Sequence, residues 1–75
     1  MESKGAMNIG TIVKIKATGQ EPRDMMYAGW VGKIKNWATE NGVTKYLVDS
    51  DAAGRLQAVS FVQWFPANEL EEENA

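Results

Sequence analysis

The chain has 75 residues, with eight Lys and Arg against ten Asp and Glu for a net charge of −2, and it contains neither Cys nor His. A length like this supports one domain that buries only about 60% of the surface its unfolded form exposes, so packing or self-association has to replace the staples that disulfides and metals supply elsewhere. The missing residue types exclude thiol nucleophiles, imidazole bases, Ser-His-Asp triads and the usual zinc, haem and iron–sulfur ligand sets, while the small acidic excess argues against wholesale polyanion binding.

The start "MESKGAMNIG" has no apolar segment and no apolar run is longer than a few residues. Neither a signal peptide nor a membrane span is expected, and the expected location is cytoplasmic. Residues 1–8 read as a flexible extension, with Met7 able to serve as the start. In "TIVKIKA", residues 11–17, Val13 and Ile15 alternate with Lys14 and Lys16, the pattern of a half-buried strand. Residues 18–29 carry Gly, Pro and charges and read as a long loop, with Met25, Met26 and Tyr27 folded back onto the domain. In "WVGKIKNW", residues 30–37, Trp30, Gly32 and Ile34 share one face and Lys33 and Lys35 the other, giving a second strand. Asn41-Gly42 is the strongest hairpin signal, because both residues tolerate the positive φ of a type I′ turn. The returning strand is "KYLVDS", residues 45–50. "DAAG" turns the chain again, residues 55–62 run back as a fourth strand, and "QWF" makes a fifth that Pro66 stops. "PANELE" is a short helical or 3₁₀ turn, and residues 72–75 are a frayed acidic tail.

Five short strands, a long first loop and a closing turn define an all-β, small SH3-like barrel of antiparallel strands over residues 9–71. An OB-fold is the competing architecture, but there is no room for its helix between the third and fourth strands. The core expected from strand parity is Val13, Ile15, Trp30, Ile34, Tyr46 and Val48. The two "KIK" strands, if neighbours, line up Lys14, Lys16, Lys33 and Lys35. This is either a solvated face or a nucleic-acid stripe in which lysines meet phosphates and exposed aromatics stack on bases. Asp49, Asp51 and Arg55 around "DAAGR" read as turn residues whose carboxylates cap backbone N–H groups rather than as a metal site.

The succession "IGTIVKIK", "WVGKIKNW", "YLVDSD" and "VQWFPANELE" resembles the type II, plasmid-type, trimethoprim-resistant dihydrofolate reductases. Their pattern matches Gly10, Val13 and Lys16; Trp30, Gly32, Ile34 and Trp37; Tyr46, Val48 and Ser50; and Val62, Gln63, Pro66, Leu70 and Glu71. The resemblance implies an SH3-like barrel acting as a homotetramer around one shared pore, where NADPH and dihydrofolate lie end to end. It implies that Gln63 meets the pterin and nicotinamide amides, that Trp64 offers its backbone to the nicotinamide, that Phe65 stands against the cofactor and that Lys16 attracts its phosphates. Hydride transfer would then rest on proximity and orientation, which are worth roughly 7–11 kcal/mol of barrier. The sequence departs from that family in having Trp64 and Phe65 where it has Ile and Tyr, and in longer stretches before Trp30 and before Val62. The alternative function is a non-catalytic SH3-like module that binds a protein or nucleic acid, with no metal and no membrane involved.

Overall fold

The computed structural model describes residues 7–73. Alternation in the first strand holds: Val13 and Ile15 are buried and Lys14 and Lys16 are exposed. Strand β1 (Ile12–Ile15) is followed by a long loop containing a five-residue helix α1 (Arg23–Tyr27), and then by the ten-residue β2 (Val31–Glu40). Asn41 and Gly42 have φ of +52° and +78°, as a type I′ turn requires, and return the chain into β3 (Val43–Asp49). A 3₁₀ turn at Asp51–Ala53 opens the second long loop. Strand β4 (Val62–Pro66), a second 3₁₀ turn (Ala67–Glu69) and β5 (Leu70–Glu72) complete the chain.

The five strands form one antiparallel sheet in the order β4-β3-β2-β1-β5, the small SH3-like barrel that the strand count predicts. Strand β2 serves both halves. Its residues 31–33 pair with β1 and its residues 33–40 with β3, and the register shifts between Ile34 and Asn36. The extra residue, Lys35, is a bulge that bends the strand from one half into the other. Val13, Ile15, Ile34, Tyr46, Val48, Phe65 and Leu70 make the core, with Tyr27 and Phe61 packed against it.

The structure corrects several sequence expectations. Residues 55–61 are not a strand: Leu56 is fully exposed, and Gln57 uses its side chain instead. The Gln57 carboxamide accepts from the Val31 N–H at 3.2 Å and donates to the Val31 carbonyl at 2.7 Å, standing in for a strand where β3 has already turned away. The fifth strand lies beyond Pro66. Glu72, expected in the frayed tail, pairs with Val13, and the Glu73 N–H donates to the Ile12 carbonyl at 2.9 Å. Of the expected extension, residues 1–6 lie outside the described residues, whereas Met7 packs on the core and its N–H donates to Tyr46 Oη at 3.0 Å. Residues 74–75 also lie outside the described residues. Trp30 leaves the predicted core because it stands at the corner before β2, half-buried. Among the described residues no helix is long and apolar enough to cross a membrane.

Candidate functional site

The stretch from Val62 to Phe65 divides by strand parity. Phe65 turns inward, is only 3% exposed, and packs edge-to-face on Tyr27 at 5.2 Å and on Phe61 at 6.1 Å. A ring so placed belongs to the barrel interior. Gln63 and Trp64 are exposed, and the Trp64 N–H donates to Gln63 Oε1 at 3.3 Å. Lys16 lies elsewhere. It follows the end of β1, and β3 and β2 separate that strand from β4 in the sheet. One chain therefore brings Gln63 and Trp64 together and leaves Lys16 apart. Nor do the two motif tryptophans meet, since Trp30 lies before β2 while Trp37 stands half-exposed in the far half of that strand.

The lysines form no uninterrupted stripe. In the register Lys14 is opposite Glu71 of β5, and Lys33 is opposite Asp49 of β3. Lys35 occupies the bulge and Lys16 the loop side of β1. An acidic residue thus stands directly across the sheet from two of the four lysines. Asp49 caps its own turn: its Oδ1 accepts from the Asp51 N–H at 3.0 Å and the Ala52 N–H at 3.4 Å. Among the described residues no group of three or more acidic side chains converges to hold a metal ion.

The most elaborated surface lies between the two long loops. The first loop is fixed from inside by Asp24. Its carboxylate accepts from the Thr18 N–H at 2.9 Å, the Gly19 N–H at 2.7 Å, the Thr18 hydroxyl at 3.0 Å and Arg23 Nη1 at 3.0 Å. The Thr18 backbone donor, aided by Gly19, the hydroxyl and Arg23, holds the Asp24 carboxyl below its ordinary value of 3.8 against a smaller opposing desolvation. Arg23 then ties the loop to the barrel, donating to the Lys16 carbonyl at 2.7 Å and to Glu69 Oε1 at 2.6 Å, with its guanidinium 5.6 Å from the centre of the Phe65 ring.

A carboxyl with a depressed folded-state value stabilises the fold above its unfolded value, and that contribution is lost as pH falls through the folded value. The Thr18 and Gly19 amide signals are therefore expected to move together on acidification, with a midpoint below the ordinary carboxyl value of 3.8. Asp24→Asn should remove that step in an NMR titration. A Thr18 signal that titrates well above this range would show that the carboxylate does not organise the loop.

So anchored, the loop presents Met25 and Met26, 75% and 55% exposed, beside Tyr27 and Trp30. Across from them the second loop supplies Val59 and Phe61, and the groove between has a volume of about 370 Å³. Tyr27 meets Phe61 edge-to-face at 5.3 Å, which joins the two loops. The sequence placed both methionines on the core, but only Tyr27 packs there: in a helix of five residues, adjacent side chains cannot all face inward. No family model, characterised protein or solved structure matches the chain.

Proposed function

We propose that the chain is a non-catalytic SH3-like binding module that takes an apolar segment of a protein partner in the groove between its two long loops. The observation that carries this reading is a pair of largely exposed methionines set against the aromatic pair Tyr27 and Phe61 on a loop held rigid by Asp24 and Arg23. Methionine side chains are polarisable and adaptable and suit an apolar partner of irregular shape, while a fixed loop spares the ordering entropy that binding otherwise costs. A nucleic-acid partner is the weaker reading, because Glu71 and Asp49 stand opposite Lys14 and Lys33.

The test is an NMR titration with peptides selected from a random library against the whole chain. Apolar peptides that shift the Met25 and Met26 methyls and the Trp30 indole, and that no longer bind a Met25→Asp, Met26→Asp double variant, are the expected result. Selected peptides that leave the groove signals unmoved overturn it. A second reading, an NADPH-dependent dihydrofolate reductase of the type II kind, is favoured by Gln63 and Trp64 lying adjacent and exposed on one strand. It requires a homotetramer in which copies of Gln63 and Lys16 come together. NADPH should then perturb the amides of residues 62–64 and of Lys16, and Gln63→Ala should abolish trimethoprim-insensitive reduction of dihydrofolate.

A further inference from the structure

The sheet has two edges, and they are built differently. The β5 edge carries Glu71, Glu72 and the following Glu73, charges of the kind that blunt an edge against pairing. The β4 edge, "VQWFP", carries no charge at all. Phe61 directs its carbonyl to the Ser50 N–H at 2.9 Å, so alternation along β4 turns the N–H and C=O groups of Val62 and Trp64 away from β3, toward the open edge. Val62 is 59% and Trp64 41% exposed, and the weak bond from the Trp64 N–H to its neighbour Gln63 is a local substitute for a strand partner.

From this edge we infer that β4 pairs antiparallel with β4 of a second copy of the chain about a two-fold axis at Gln63. Val62 of each copy then lies opposite Trp64 of the other, and the four outward backbone groups of each edge exchange hydrogen bonds. The outer face reads across both molecules as Asn36, Leu47 and Trp64 of one copy, then Val62, Asp49 and Lys33 of the other, because the intrachain register already aligns each of these sets. An aromatic ring beside a β-branched residue is among the favourable cross-strand pairs, and here symmetry makes it occur twice. A second copy is the occupant that this self-complementary, uncharged edge fits. The inference is independent of the loop groove, which Val62, Gln63 and Trp64 do not line.

Sedimentation of the whole chain from low to high micromolar concentration is expected to show twice the 8.3 kDa chain mass, falling two-fold in Val62→Lys and Trp64→Lys. Both positions are exposed, so lysine is tolerated by the fold, and retained dispersion of the NMR spectrum verifies this. In a mixture of labelled and unlabelled chains, the Val62 methyls of one copy should contact the Trp64 indole of the other. Met26→Asp should leave the mass unchanged. A single-chain mass at every concentration overturns the inference. So does a dimer that survives both lysine variants, or one in which the Val62 to Trp64 contact between copies is missing.

Discussion

Phe65→Ala is expected to remove about 3–5 kcal/mol of stability, a large part of the roughly 5–15 kcal/mol that a domain has in total. The side chain is almost wholly buried, its strand position is paired with Tyr46, and its ring is the shared partner of Tyr27 from the first long loop and Phe61 from the second. Truncation leaves a cavity where three elements meet. Neither loop can collapse into it freely, because Arg23 holds one to Glu69 and the Phe61 N–H holds the other to Ser50 Oγ at 2.7 Å. The cost should therefore sit toward the upper end of the range for its chemistry. Urea unfolding at neutral pH measures it, and a change below about 1 kcal/mol would mean that the loops repack and that the ring is not their common support. The same variant should weaken the groove, since Tyr27 and Phe61 would keep only one another.

How much of this was legible depends on which signal each element uses. Strands β1, β2 and β3 announce themselves by side chains: Val13 and Ile15 alternate with lysines, and Asn41-Gly42 dictates the turn. Strand β5 has one buried side chain, Leu70, followed by glutamates, and forms because β1 offers a free edge of backbone donors and acceptors. Such a strand is specified by its partner and has no period of its own. The opposite failure occurs at residues 55–61, where Leu56, Ala58 and Ser60 alternate with Gln57, Val59 and Phe61 as in a strand. There β3 has ended and the Ser50 hydroxyl and Gln57 carboxamide take over the backbone pairing, which no hydrophobic pattern records.

The candidate sites divide in the same way. That Trp64 and Phe65 face opposite sides follows from the period of two, and the burial of one with exposure of the other accords with it. The acids opposite Lys14 and Lys33 were not legible, because they come from β5 and β3 and only the register reveals them. The groove was hidden by a different cause. Asp24 collects donors from residues six and five positions earlier, and Arg23 reaches Glu69 across 46 positions, so the loop's shape is set by polar contacts that leave no apolar pattern.

Gly32→Ala is the second change expected to be costly, although alanine is ordinarily the better residue in a strand. The glycine has no positive φ to justify it and is buried in β2. What excludes a side chain is space: an added Cβ would run into Val48 Cγ1 and would lie 3.1 Å from the Asp49 carbonyl oxygen and 3.2 Å from its carbon. The methyl of Val48 sits in the fully buried core, so rotating it away disturbs the packed cluster around it. The Asp49 backbone is no freer, being paired with Lys33 of β2 and set directly opposite Val62 of β4. Overpacking of this kind costs about 1–3 kcal/mol, against which the reduced freedom of the unfolded chain returns only about 0.4–1 kcal/mol. The balance is destabilising, and for a domain of this size each kcal/mol lowers Tm by roughly 4–8 °C. Because Asp49 connects β2 to β4, the amide shifts caused by Gly32→Ala should reach Val62 and Gln63, whereas a merely local clash would stop at Val48. Calorimetry and a heteronuclear spectrum of the variant measure both effects, and an unchanged or higher Tm would mean that β3 yields to the methyl group without loss.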